Sequence, residues 1–301
     1  MTECYTLSSD RLSARFERRG ARMRALHLDG GPNLILDADA PDFLAAYGGV
    51  LIGPVANRVR EGRALIRGQT HQMPQNEGTT CLHSGPDGVH TQDWTVTDQG
   101  GAHLVLSLVL PDGACGLPGR REITAAFAIV GTTLSLSLHA ITDAPTPMAL
   151  AHHPYWALGG TPVLRCPADH YLPTDSANLP TGEVATVAGT AFDFRTGQPL
   201  PPEIDHNLCL ARARRAAPAP VATLTGDAAT LTIDSTEPGL QVYSGAGLPT
   251  VPGTDIAPFA GVALEPQDWP NAVNTPGFPP VLITPGSPYR QITRYTLMPA
   301  T

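Results

Sequence analysis

Residues 134–138 read Leu-Ser-Leu-Ser-Leu, and the alternation of Leu134, Leu136 and Leu138 with Ser135 and Ser137 is that of a strand burying one face. The same period returns in AATLTID at 228–234. LVLSLVL at 104–110 and ITAAFAIV at 123–130 are more continuously apolar, which predicts strands covered on both faces. Pro111-Asp112-Gly113, Gly131 and the stretch from Asp143 to Pro147 punctuate these runs as turns. The 30 glycines and 31 prolines make up about a fifth of the chain against roughly 12% in average usage, so the chain turns often. Helical periodicity is confined to PDFLAAY at 41–47, a short helix with Asp39 or Pro41 near its start. ARARRAAPAPVA at 211–222 reads as a loop or edge connection. Many short strands with turn signals between them predict an all-β chain, and 301 residues favour a large antiparallel β-sandwich with few short helices.

Composition removes several chemistries. All 19 basic residues are arginine. A Schiff-base aldolase, a pyridoxal-phosphate enzyme and a Walker-type phosphate loop each need a lysine amine, so all three are excluded. A net charge of −8 and a pI near 5.6 argue against a nucleic-acid partner. Arg11, Arg15, Arg18, Arg19, Arg22 and Arg24 are expected on a solvated strand or hairpin face. No apolar run approaches the roughly 20 residues that span a bilayer, and MTECYTLSSDRLSARFERR lacks the apolar core of a signal peptide. Cys4, Cys81, Cys115, Cys166 and Cys209 are odd in number and widely spread, which predicts free thiols in a reducing compartment. A cytoplasmic protein with neither membrane nor nucleic-acid partner is expected.

Two ionisable residues stand in apolar or aromatic surroundings. His153 lies within MALAHHPYWALGG at 148–160, and Glu265 follows the strand-like run in FAGVALEPQDWP at 259–270. A buried carboxylate is costly unless it is paired or at work. His152 and His153 point to opposite faces of a strand and cannot readily chelate one metal; no metal site is expected. GGVLIGP at 48–54 carries no dinucleotide fingerprint.

Eight stretches, in order, resemble the motifs of the aldose 1-epimerases, or galactose mutarotases. They are ANRVREGR at 56–63, NEGTTCLHSGPDG at 76–88, AHHPYWALGG at 151–160, LPTGEVATVAGTAFDFR at 179–195, EIDHNLCL at 203–210, LQVYSG at 240–245, ALEPQDWPNAVN at 263–274 and LITPGSPYRQITRYTL at 282–297. The resemblance runs from about residue 48 to the C-terminus. It implies a single supersandwich domain over residues 1–301, acting on a monosaccharide without metal or cofactor. It implies Glu265 as general base and His153 as general acid. It also implies Arg58, His83 and Asp205 as groups that grip sugar hydroxyls or support that pair, and Gln241 as a weaker sugar contact.

That chemistry suits the residues. Mutarotation takes a proton from the C1 hydroxyl and gives one to the ring oxygen, each transfer typically worth roughly 10²- to 10⁴-fold when catalysed by a positioned side chain. His153 is expected to be protonated, with Glu265 and Asp205 sustaining its charge. Tyr155, Trp156 and Trp269 are candidates for stacking on a sugar face. His152, Ser84 and the pair Pro54-Val55 depart from the family pattern at positions expected near the sugar, and Asn271 replaces a common aspartate. A sugar-phosphate mutarotase drawing on Arg58, Arg60, Arg63 and Arg67, a non-catalytic sugar-binding module, and a glycosidase pairing Glu265 with Asp205 are the alternatives.

Overall fold

The alternating leucines lie in a nine-stranded antiparallel sheet. In the computed structural model, which describes residues 3–300, the strand Thr133–Thr142 runs between Arg121–Val130 and Tyr289–Pro299. Leu134, Leu136 and Leu138 stand opposite Ile129, Phe127 and Ala125, and all six are buried. The period of two therefore makes one continuous apolar face. Ala219–Thr225 and Ala229–Ser235 extend the sheet on one side, His103–Leu110 and Thr95–Gln99 on the other.

Two smaller sheets contribute to the same core. Cys4–Ser8, Leu12–Glu17 and Met23–Leu28 form a three-stranded sheet, from which Leu7, Leu12, Phe16 and Leu26 join the leucines. Phe16 meets Phe127 at 4.3 Å between ring centroids. A six-stranded sheet, ordered Tyr155–Trp156, Val262–Gln267, Gly239–Tyr243, Asp205–Cys209, His170–Tyr171 and Ala185–Thr186, sends Leu208, Leu240, Val242 and Leu264 into that core. The residues between them in sequence face the other way and carry the polar groups described below. Residues 3–47 thus complete the sandwich, and the helix Pro41–Ala45 delivers the chain to the polar side.

Three expectations are corrected. Val105 and Ala126 are half-buried, and Val109 and Val130 are 48% and 78% exposed, so 104–110 and 123–130 are covered on one face only. Their outward valines satisfy the preference of the pleated backbone for β-branched side chains without a second layer. Arg22 and Arg24 are not on a solvated face. Arg22 is 1% exposed, and both arginines pair with Glu17, Asp37 and Asp39, the compensation a buried guanidinium requires. Within 211–222, residues from Ala219 onward form an interior strand between Val163–Arg165 and Ala229–Ser235.

Phe127→Ala removes the ring joining the large sheet to the N-terminal one and should cost about 3–5 kcal/mol in equilibrium urea unfolding. Val130→Ala on the open face should stay within about 0.5 kcal/mol. Similar costs for the two would contradict this assignment of faces.

Candidate active site

The outer face of the six-stranded sheet is organised in rungs. Asp205 stands opposite Tyr243, Tyr243 opposite Ala263 and Ala263 opposite Tyr155. One rung further, Asn207 stands opposite Gln241 and Gln241 opposite Glu265. The antiparallel register of Tyr155 with Ala263, continued by two residues, brings His153 opposite Glu265. Directly opposed side chains are close enough to touch, and His153 Nε2 lies 3.5 Å from Glu265 Oε1. Both residues are buried.

Loops from the first third of the chain roof this face and leave a cavity of 480 Å³, within the size range of small-molecule sites. Glu265, His153, Arg58, His83 and Asp205 all line it. Arg58 enters on the short strand Arg58–Val59, paired with Cys81–Leu82, a pairing that places His83 beside it. The Arg58 fork grips Glu77 through Nε (2.7 Å) and Nη2 (2.9 Å) and reaches Asp205 through Nη1 (3.3 Å). His83 Nδ1 accepts the Asn57 backbone N–H at 3.0 Å. A backbone donor requires that nitrogen to be unprotonated, which leaves Nε2–H as the donor of a neutral ring.

Gln241 does not line the cavity. It is 3% exposed, and its Nε2 donates to Asp205 Oδ1 at 2.6 Å, so it acts behind Asp205. Of the stacking candidates Tyr155 faces the cavity, while Trp156 lies in the main core and Trp269 in a separate apolar cluster. The departures from the family pattern also lie off the cavity. Ser84 Oγ accepts from the Val55 N–H (2.8 Å) and donates to the Val55 carbonyl (3.1 Å), joining two loops. His152 points into the core between Phe127 and Tyr295. Asn271 adopts a left-handed backbone, φ 56°, which asparagine tolerates well, and its Oδ1 accepts the Arg60 N–H.

Several cavity groups carried no recognisable signal in the sequence. Tyr47 stacks edge-on against His83 at 4.5 Å and lies 6.1 Å from the His153 ring. It occupies a left-handed position, φ 61°, after the short helix, where no period applies. Glu203 and Asn178 stand on loops at the wall. Tyr243 was accessible in principle, since it is two residues from Gln241 on the same strand face.

Burial reverses the protonation expected of His153. It pushes the imidazole down to about 4, because the charged ring has lost its water. Burial also holds the Glu265 carboxyl well above its ordinary value; Asp205 adds to that shift and Arg58 opposes it. Both groups are driven toward their neutral forms. His83 is likewise held well below its ordinary value, by burial first and then by the neighbouring His153. Among the described residues, no group of three or more His, Cys, Asp or Glu side chains is placed to hold a metal ion.

Known proteins share this architecture and sequence. The family model described as Aldose 1-epimerase matches residues 3–296. Galactose mutarotase of Sus scrofa is 33% identical over 319 aligned positions, covering 97% of this chain and 92% of that protein. Aldose 1-epimerase of Escherichia coli (strain K12) is 30% identical, covering 83% of this chain and 80% of its own length. The crystal structure of the GalM/aldose epimerase homologue from C. elegans superimposes with a TM-score of 0.92 at 25% identity, over 100% of both chains. With the family model spanning nearly the whole sequence and a relative 33% identical over 97% of it, this chain belongs to the aldose 1-epimerase family.

Proposed function

We propose that this chain is an aldose 1-epimerase that interconverts the α and β anomers of a free aldose, with Glu265 as base, His153 as acid, and Arg58, His83 and Asp205 holding sugar hydroxyls. The observation that carries this reading is the contact between His153 and Glu265 on the cavity wall, 3.5 Å apart. Glu265 takes the proton of the C1 hydroxyl while His153 gives one to the ring oxygen. The bond from C1 to the ring oxygen breaks and the C1 carbonyl forms. Rotation about C1–C2 followed by the reverse transfers closes the other anomer. Two proton transfers suffice, so the reaction asks for no cofactor.

The protonation of the pair fits this cycle. A carboxylate beside an imidazolium and a carboxylic acid beside a neutral imidazole contain the same single proton, and differ only in where it sits. Ring opening converts the first arrangement into the second. Burial favours the second, the arrangement that closes the ring, and transfer of the shared proton from Glu265 to His153 restores the first, which opens it.

The cavity suits an uncharged sugar. Its one guanidinium, Arg58, already holds Glu77 and Asp205, and Glu203 adds a further carboxylate to the lining. Arg60 and Arg63 are engaged by Asp175 and Glu61. This disfavours the sugar-phosphate alternative, which needs a free arginine cluster. A binding module would have no use for an acid–base pair. The reading treats residues 1–301 as one working domain. A cytoplasmic setting is supported by the buried free thiols of Cys81, Cys115, Cys166 and Cys209.

Glu265→Gln keeps shape and hydrogen bonding but cannot take a proton. Its turnover, read by polarimetry on freshly dissolved α-anomers, should fall by about 10²- to 10⁴-fold with sugar binding nearly intact. Retention of more than about a tenth of wild-type turnover would remove Glu265 from the role of base.

The pH profile of kcat/KM should be a broad bell. Adding a second proton to the pair charges His153, so the acidic limb lies near pH 4, where burial places that group. Losing the single proton ionises Glu265, whose raised value sets the alkaline limb. Asp205→Asn removes a negative charge that raises Glu265, so the alkaline limb should move to lower pH while KM rises. An unchanged limb with normal affinity would make Asp205 structural.

A further inference from the structure

We propose that Arg22 is a positioning residue for the acid–base pair, holding the backbone of His153 opposite Glu265 through the single peptide group between Gly48 and Gly49. The inference rests on the function proposed above. Arg22 Nε donates to the Gly48 carbonyl at 3.1 Å. The N–H of the same peptide, on Gly49, donates to the His153 carbonyl at 2.9 Å, and the His153 N–H returns to the Val50 carbonyl at 2.9 Å. In a planar trans peptide the C=O and N–H point in opposite directions. One rigid group therefore bridges the guanidinium on one side and the catalytic histidine on the other. A cationic donor on the carbonyl polarises the peptide and strengthens the bond its N–H makes.

The guanidinium is itself fixed. Nη2 reaches Asp37 Oδ1 at 2.6 Å and the Ala38 carbonyl at 2.7 Å, and Nη1 reaches Glu17 and Asp39 at 3.4 Å each. All three nitrogens are used, and three carboxylates shared with Arg24 surround the two guanidiniums with opposite charge. The bridging peptide has no slack. A Cβ on Gly48 would lie 2.3 Å from the Phe43 ring, and one on Gly49, at φ 77°, would lie 2.3 Å from the Met23 carbonyl. The segment so gripped also carries Tyr47, whose ring packs on His83 and faces His153. Arg22 is therefore a clamp from the N-terminal sheet onto the loop that backs the site.

Lysine keeps the charge among the carboxylates, but its single nitrogen cannot span Gly48 and Asp37 together. Arg22→Lys should lower kcat per folded molecule by about tenfold, since misplacement of the order of 1 Å can cost about 10²-fold. KM should stay within about twofold, because Arg58 and Asp205 are held by Glu77 and Gln241 on other elements and His83 keeps its bond from the Asn57 N–H. Asp37→Asn leaves the guanidinium in place but weakens its shortest anchor. It should lower kcat about threefold, again with KM unchanged, and it carries the test if Arg22→Lys does not fold. The readout is polarimetric kcat and KM against the folded fraction measured by circular dichroism. A role confined to stability would lower the folded fraction alone. Wild-type kcat per folded molecule in Arg22→Lys, or in Asp37→Asn if only that variant folds, overturns the proposal. A wild-type protein inactive on every aldose would instead overturn the function on which it rests.

Discussion

The contact between His153 and Glu265 continues the register of a strand pair, and its place beside the sheet explains the rest of the site. Glu265 lies on the interior strand Val262–Gln267, flanked on both sides by hydrogen-bonded neighbours. Val262 and Leu264 spend that strand's inner face on the core, and strict alternation then turns Ala263 and Glu265 outward. His153 reaches it from just before the two-residue strand Tyr155–Trp156, where Pro154 has no N–H with which to continue the ladder. Because the two rungs bearing Asp205, Gln241 and Glu265 are adjacent, one diagonal hydrogen bond, from Gln241 to Asp205, suffices to tie them together. A rigid sheet fixes the carboxylates; the roofing loops bring the arginine and histidine to them.

Taking both partners out of water has a cost and a use. Burial disfavours charge on either group, which favours the state in which the pair shares one proton. A proton that can sit on either partner is what reversible ring opening demands. The balance is set locally: Asp205 raises Glu265 and Arg58 lowers it, and these two are themselves joined at 3.3 Å. On the function proposed above, the groups that hold the sugar are thus also the groups that set the proton affinity of the base.

Much of this was legible in the sequence, for particular reasons. The strands around Leu134 and Ala229 follow from a period of two, which has one structural reading. Glu265 and His153 stood out because a polar group inside an apolar run is expensive, and the ordered motifs led to Arg58, His83 and Asp205. What was not legible depends on distance in sequence. The arginines at 22 and 24 looked solvated because their partners Asp37 and Asp39 lie beyond a loop. Tyr47 reaches the site from a left-handed turn with no pattern to mark it. Gln241 was read as a sugar contact from the resemblance alone, and the sequence does not show that Asp205 stands between it and the cavity. The valines of 104–110 and 123–130 suggested two covered faces because β-propensity and burial favour the same residues.

The most direct measurement is the rate of anomeric exchange in the presence of the wild-type protein, by exchange NMR between the α and β C1 protons of glucose and galactose at equilibrium. The account predicts an exchange rate that rises in proportion to protein concentration above the buffer-catalysed rate. Exchange that stays at the buffer rate for neutral hexoses and pentoses, with protein shown to be folded, would contradict it.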